Sequence, residues 1–187
     1  MKLLTKIFSI CLFLLITASI SEAQNFADKQ YYLVDSLEMD KVSDVDKILL
    51  DSCLAKFHKA KHDTDKVNAI AIIVEQSWDD KIWPKYNLWN YRFIEAKLQK
   101  ELPEKVKTKL SFAFASAINN IGYYNSTTGN ISEALKYYTK SLKLQESLND
   151  ISGAATSYNN IGAIYNKQGD IPKALDCYHK SLKKYEL

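Results

Sequence analysis

The chain has 187 residues, of which 47% are hydrophobic and 25% charged, with a net charge of +3; these proportions exclude wholesale disorder. Five glycines and three prolines are too few for an all-β fold built on tight turns and favour long helices. Arg92 is the only arginine among 25 basic residues, a poor basis for nucleic-acid binding, which relies on arginines for bidentate contacts.

The chain opens with an address. Lys2 and Lys6 precede an uncharged run from Ile7 to Ile20, and Ser21-Glu22-Ala23 then places small residues where a signal peptidase reads. This is the order of a secretory signal, and the apolar run is shorter than the roughly 20 residues that span a bilayer. Cleavage after Ala23 and export to the periplasm are expected; the alternative is an uncleaved segment anchoring the chain to the inner membrane. Export permits disulfides. However, Cys53 and Cys177 lie in distant segments, so free buried thiols are expected.

Residues 24–42 read as a linker or partly ordered segment, and residues 43–103 as helical. Ser43 followed by Asp46 forms an N-cap signal for a helix carrying Val45, Ile48, Leu49, Cys53 and Phe57. Thr64 or Asp65 starts a second, with Val67, Ile70, Ala71 and Val74 on its apolar face. Pro84 opens a third, running through Leu88, Tyr91, Glu95 and Leu98 towards Pro103. The second and third together look like a degenerate repeat. Trp78, Trp83 and Trp89 fall close together, either as packing that seals the first helix pair or as a stacking platform for a ligand. His58 and His62 have the i, i+4 spacing of two metal ligands on one helix. They sit in a lysine-rich stretch with no glutamate between them, so no metal site is assigned. No phosphate-binding glycine loop or nucleophile elbow occurs, and neither a catalytic residue nor a cofactor is expected.

Residues 104–187 contain an internal duplication. Shifted by 40 positions, Asn119-Asn120-Ile121-Gly122 falls on Asn159-Asn160-Ile161-Gly162. Ala134-Leu135 then falls on Ala174-Leu175, and Lys140-Ser141-Leu142-Lys143 on Lys180-Ser181-Leu182-Lys183. Each copy, about 112–148 and 151–187, reads as two helices broken at Gly129-Asn130 or Gly169-Asp170, where Asn130 and Asp170 are cap candidates. Gly122, Gly162, Ala134 and Ala174 are small where helix backbones must approach.

Asn-Ile-Gly, Gly-Asn/Asp, Ala-Leu and Tyr-x-x-Ser-Leu resemble the tetratricopeptide repeat, a helix-turn-helix unit that stacks into a superhelix. The period is longer than the usual one and resembles the variant in kinesin light chain. The segment from His62 is similar to one that precedes the repeats in exported tetratricopeptide proteins of the Bacteroidetes, whose arrays often form the input regions of sensor kinases. The resemblance implies an all-α solenoid with a concave face lined by the first helix of each pair. It also implies a protein or peptide partner and no enzymatic activity. Asn119, Asn120, Tyr123, Asn159, Asn160, Ala163 and Asn166 are then the expected groove residues, flanked by Ser116 and Thr156. A repeated amide can pair with the backbone of an extended peptide whatever its sequence; the alternative is that one asparagine of each pair bonds a neighbouring helix. The final helix leaves Ala174, Tyr178 and Leu182 without a following cap. Three expectations arise from that edge: truncation within a longer signalling protein such as a histidine kinase, further repeats, or self-association.

Overall fold

The computed structural model describes residues 29–186. The expected signal segment, residues 1–23, lies outside the described residues, as does Leu187. Among the described residues the chain is all-α. A single turn, α1 (Lys29–Tyr32), is followed by α2 (Asp44–Lys59), α3 (Asp63–Gln76) and α4 (Trp83–Leu98). Then come α5 (Glu104–Thr127), α6 (Ile131–Ser147), α7 (Ile151–Lys167) and α8 (Ile171–Tyr185). No helix among them is long and apolar enough to cross a membrane.

Each helix packs on the next, so α3/α4, α5/α6 and α7/α8 form successive hairpins. In addition α3 packs on α5 and α5 on α7, whereas the backbones of α4, α6 and α8 stay apart and these helices meet only through side chains, Lys140 with Tyr91 and Lys184 with Glu146. The odd-numbered helices therefore form the inner, concave side of the stack and the even-numbered ones the outer side. The core runs along the seam in three clusters. Leu50, Leu54, Ile70, Ile73 and Tyr86 anchor the first, Val67, Ile94 and Leu110 the middle, and Ala134, Tyr138, Ile161 and Ile164 the last.

The three turns that connect α5 to α8 follow one local rule. The N–H of Asn130, Asp150 and Asp170 donates to the carbonyl of Asn125, Gln145 and Tyr165 at 2.8, 2.8 and 3.0 Å. The residue before each has positive φ: Gly129 (85°), Asn149 (54°) and Gly169 (79°). This is the Schellman closure, in which a left-handed residue lets the next N–H reach back to the last turn. The closing residue is also the N-cap of the following helix. Asp150 and Asp170 accept from the N–H of Gly153 and Lys173 at 2.9 and 3.2 Å. Asn130, expected to cap in the same way, donates its amide to Thr128 instead, at 3.3 Å. Ser43 does cap α2, accepting from the Asp46 N–H at 3.0 Å.

Several expected faces are rotated. In α2, Cys53 and Phe57 are buried as expected, but with Leu50 and Leu54, while Val45 and Ile48 are exposed. The helix carries two apolar stripes, and the one bearing Phe57 and two leucines takes the core. In α4, Trp83, Tyr86, Asn87, Asn90 and Ile94 are buried and Leu88 is exposed. Two asparagines occupy inward positions there and disguise the helical period. Val34, Leu37 and Val42, from the stretch read as a linker, are buried against α2 and α3. Lys85 fixes that stretch by donating to the carbonyls of Asp35 and Ser36 at 3.1 and 2.6 Å.

Close approach explains the small residues. A Cβ placed on Gly122 would lie 2.7 Å from the Tyr138 ring, and one on Gly162 would lie 2.8 Å from the Tyr178 ring. Ser141 of α6 and Ser181 of α8 donate to the Ala115 and Ala155 carbonyls at 2.7 and 2.8 Å. A hydroxyl bonded to a carbonyl already used within its helix costs nothing in unsatisfied polarity, so the α5/α6 and α7/α8 hairpins are tied by the same bond. Cys53 and Cys177 are free and buried, and burial raises the pKa of both thiols.

Candidate functional site

The paired asparagines occupy four different settings. Asn119 is 7% exposed, donates to the Ser157 hydroxyl at 2.8 Å and accepts from the Asn160 amide at 3.0 Å. Ser157, itself buried, donates its hydroxyl to Gln145 Oε1 at 2.6 Å. Asn119 and Asn160 thus belong to a polar network that joins α5, α6 and α7. Asn120 donates to Asn87 Oδ1 at 3.2 Å, and Asn87 donates to the Ala117 carbonyl at 3.0 Å, joining α4 to α5. Asn159 is exposed, with no side-chain hydrogen bond among the described residues. Of the expected groove residues, Asn119 is therefore an interhelical strut. The reason is geometric: the position that is exposed on α7, Asn159, meets the following hairpin when it stands on α5 as Asn119. Tyr123 and Asn166 are exposed and Ala163 half-buried.

A cleft of about 470 Å³ opens on the concave side between α3 and α5. Asn68, Ala71 and Glu75 of α3 form one wall, Phe112, Ser116 and Asn120 of α5 the other, and Asn87 and Asn90 of α4 the floor. The half-buried Ala71 and Val74 of α3, expected in the core, face this cleft. Asn90 is 4% exposed; its amide N–H meets the Val67 carbonyl at 3.4 Å, but its Oδ1 has no partner. A buried amide oxygen left unpaired costs about 1–3 kcal/mol. A sequence reading passes over Asn87 and Asn90 because inward polar residues look like surface ones. The signal that marks them is their i, i+3 spacing, which places both amides on the face of α4 that also carries Ile94.

The cleft continues into a smaller pocket of about 240 Å³ that shares Val74, Glu75 and Asn120 with it. Trp78, Trp83 and Tyr123 line this extension. The three tryptophans therefore divide. Trp83 is buried, its ring 5.9 Å from that of Tyr123. Trp89 stacks on Phe93 at 4.8 Å and meets Phe57 edge-on at 5.2 Å. Trp78 stands 92% exposed. The histidines do not form a pair on one helix, because α2 ends at Lys59. His58 stacks on Tyr31 at 5.0 Å, and His62 sits at the start of α3. Among the described residues no cluster of His, Cys, Asp and Glu is arranged to hold a metal ion.

No curated protein and no solved structure matched the chain. Residues 114–186, from within α5 to the end of α8, match the family model of the tetratricopeptide repeat, and the stacked hairpins form a tetratricopeptide-like α-solenoid.

Proposed function

We propose that the chain is an exported, non-enzymatic scaffold that binds an extended peptide of a partner protein in the concave cleft between α3 and α5. Tetratricopeptide segments generally mediate protein–protein interaction, and one wall of the cleft belongs to the helix in which the matched segment begins. The observation that carries the reading is the open cleft of about 470 Å³ whose floor is set by two inward amides, Asn87 and Asn90. Asn68 and the unused amide oxygen of Asn120 add hydrogen-bonding groups along its walls. Backbone N–H groups of an extended chain are donors of the right kind and recur at regular intervals. Export rests on the order of charges, apolar run and small residues in the first 23 positions.

The test is a blocked cleft. Ser116 is exposed on its wall, so Ser116→Trp fills the space while leaving the core intact. Peptides selected from a random library on the immobilised chain should lose at least about tenfold in affinity to this variant, with an unchanged melting temperature. Selected peptides that bind both proteins equally would overturn the reading.

A second reading, self-association, is supported by the outer edge. Leu142 of α6 is 8% exposed because α7 covers it, whereas the matching Leu182 of α8 is 59% exposed. Asn159 is likewise the unpaired counterpart of Asn119. A second copy that stacks a helix on α7/α8 would bury both. Sedimentation velocity should then show a concentration-dependent dimer that Leu182→Glu dissolves; a monomer throughout the accessible range rules this reading out.

A further inference from the structure

The small pocket at the end of the cleft has a chemistry of its own. An exposed indole is uncommon, and Trp78 is held in place by a bonded loop rather than left on a loose one. The Asp79 carbonyl accepts from the N–H of Ile82 and Trp83 at 2.9 and 3.1 Å, and its Oδ1 accepts from the Lys81 N–H at 2.7 Å. Trp83 and Tyr123 form the adjoining walls, with ring planes inclined at 49°. Aromatic faces set at an angle around a small space present their negative quadrupoles to whatever occupies it.

Two carboxylates complete the surroundings. Asp80 Oδ1 accepts from Trp83 Nε1 at 3.1 Å, which orients the indole and leaves the second oxygen free. Glu75 is exposed at the junction with the cleft. Neither forms a salt bridge among the described residues. The nearest lysine along the loop, Lys81, is not among the residues that line the pocket. The pocket is therefore anionic and aromatic together, without an internal cation.

We propose that this pocket receives an arginine side chain of the peptide held in the α3/α5 cleft. A planar guanidinium stacks on Trp78 while its N–H fork reaches Glu75 and Asp80, which a compact ammonium does less well. This rests on the cleft being the peptide site and adds to it a specificity: a basic residue one end of the extended segment must supply.

The indole N–H signals of the full chain report on the pocket directly, with Trp89 as an internal control. Titration with N-acetylarginine amide should shift the Trp78 and Trp83 signals saturably and leave Trp89 in place. The neutral isostere N-acetylcitrulline amide should bind about tenfold more weakly, and Trp78→Ala or Glu75→Gln should each weaken the arginine probe by about tenfold. Trp78 is on the surface, so its loss leaves the fold intact. Equal binding of the citrulline probe, or no saturable shift, overturns the proposal. Tighter binding of tetramethylammonium than of the arginine probe also overturns it and identifies a site for free quaternary ammonium. A selected peptide that tolerates arginine-to-citrulline replacement but not Ser116→Trp sinks the arginine pocket alone. One that tolerates both sinks the cleft as well.

Discussion

Asn160 shows how one side chain decides between recognition and architecture. Its amide is the donor to Asn119 Oδ1 at 3.0 Å, and Asn119 lies buried between α5 and α7. Asn160→Ala leaves that oxygen without a donor and should lower stability by about 1–3 kcal/mol. Urea denaturation monitored by tryptophan fluorescence measures the change; an unaltered midpoint would place the network's stability elsewhere. The duplication makes these amides visible in the sequence, but it does not assign their role. An amide repeated once per hairpin has the same donors and acceptor whether it meets a peptide or a helix, and only the presence of α7 settles the matter for Asn119. Asn87 and Asn90 stay hidden for the opposite reason, since an inward asparagine interrupts the apolar period by which a buried face is read. The exposure of Trp78 is equally illegible, because it depends on how the turn between α3 and α4 is folded.

Helices and turns were the most legible level. Ser43, Pro84, Gly129 and Gly169 punctuate the chain by local chemistry that acts within a few residues, so their effect does not wait for tertiary structure. Two glycines with different roles allow that logic to be separated by experiment. At Gly169 a Cβ would meet no atom within 4 Å, but φ is +79°; Gly169→Ala should therefore cost about 1 kcal/mol through backbone strain alone. At Gly162 the conformation is helical and the obstacle is Tyr178 at 2.8 Å, so Gly162→Leu should cost about 1–3 kcal/mol through overpacking. Restoring space with Tyr178→Ala should rescue part of the second loss and none of the first, as a double-mutant cycle would show. The misread faces of α2 and α4 mark the limit of local reasoning. Where a helix offers two apolar stripes, or seats amides inward, its neighbours choose the buried side.

At the scale of the whole molecule, buried phenols tie stability to alkaline pH. Tyr86 is fully buried with an unpartnered hydroxyl, and burial pushes its pKa well above the ordinary value of 10.0. Tyr138 is pushed up to about 12, chiefly by burial beneath Gly122 and its neighbours. In the unfolded chain both ionise near the ordinary value, whereas in the fold they hold their protons. Their contribution is therefore fully present below about pH 10 and is lost as pH rises towards 12. Denaturation midpoints should stay level through neutrality and fall in that window, and Tyr138→Phe should make the fall shallower. A midpoint insensitive to alkali would contradict the enclosed setting of these rings.

The contacts between hairpins are distributed unevenly around the stack. On the inside the backbones of α3, α5 and α7 approach one another and Asn160 of α7 bonds Asn119 of α5, while on the outside only long side chains meet, Lys140 with Tyr91 and Lys184 with Glu146. Such an arrangement behaves like the pages of a book bound along one spine. Small pivots about the bound edge spread the outer helices and narrow or widen the inner channel without breaking a hydrogen bond along it. A single backbone can in this way grip segments of differing thickness, with the bound edge setting the alignment and the loose one supplying the give.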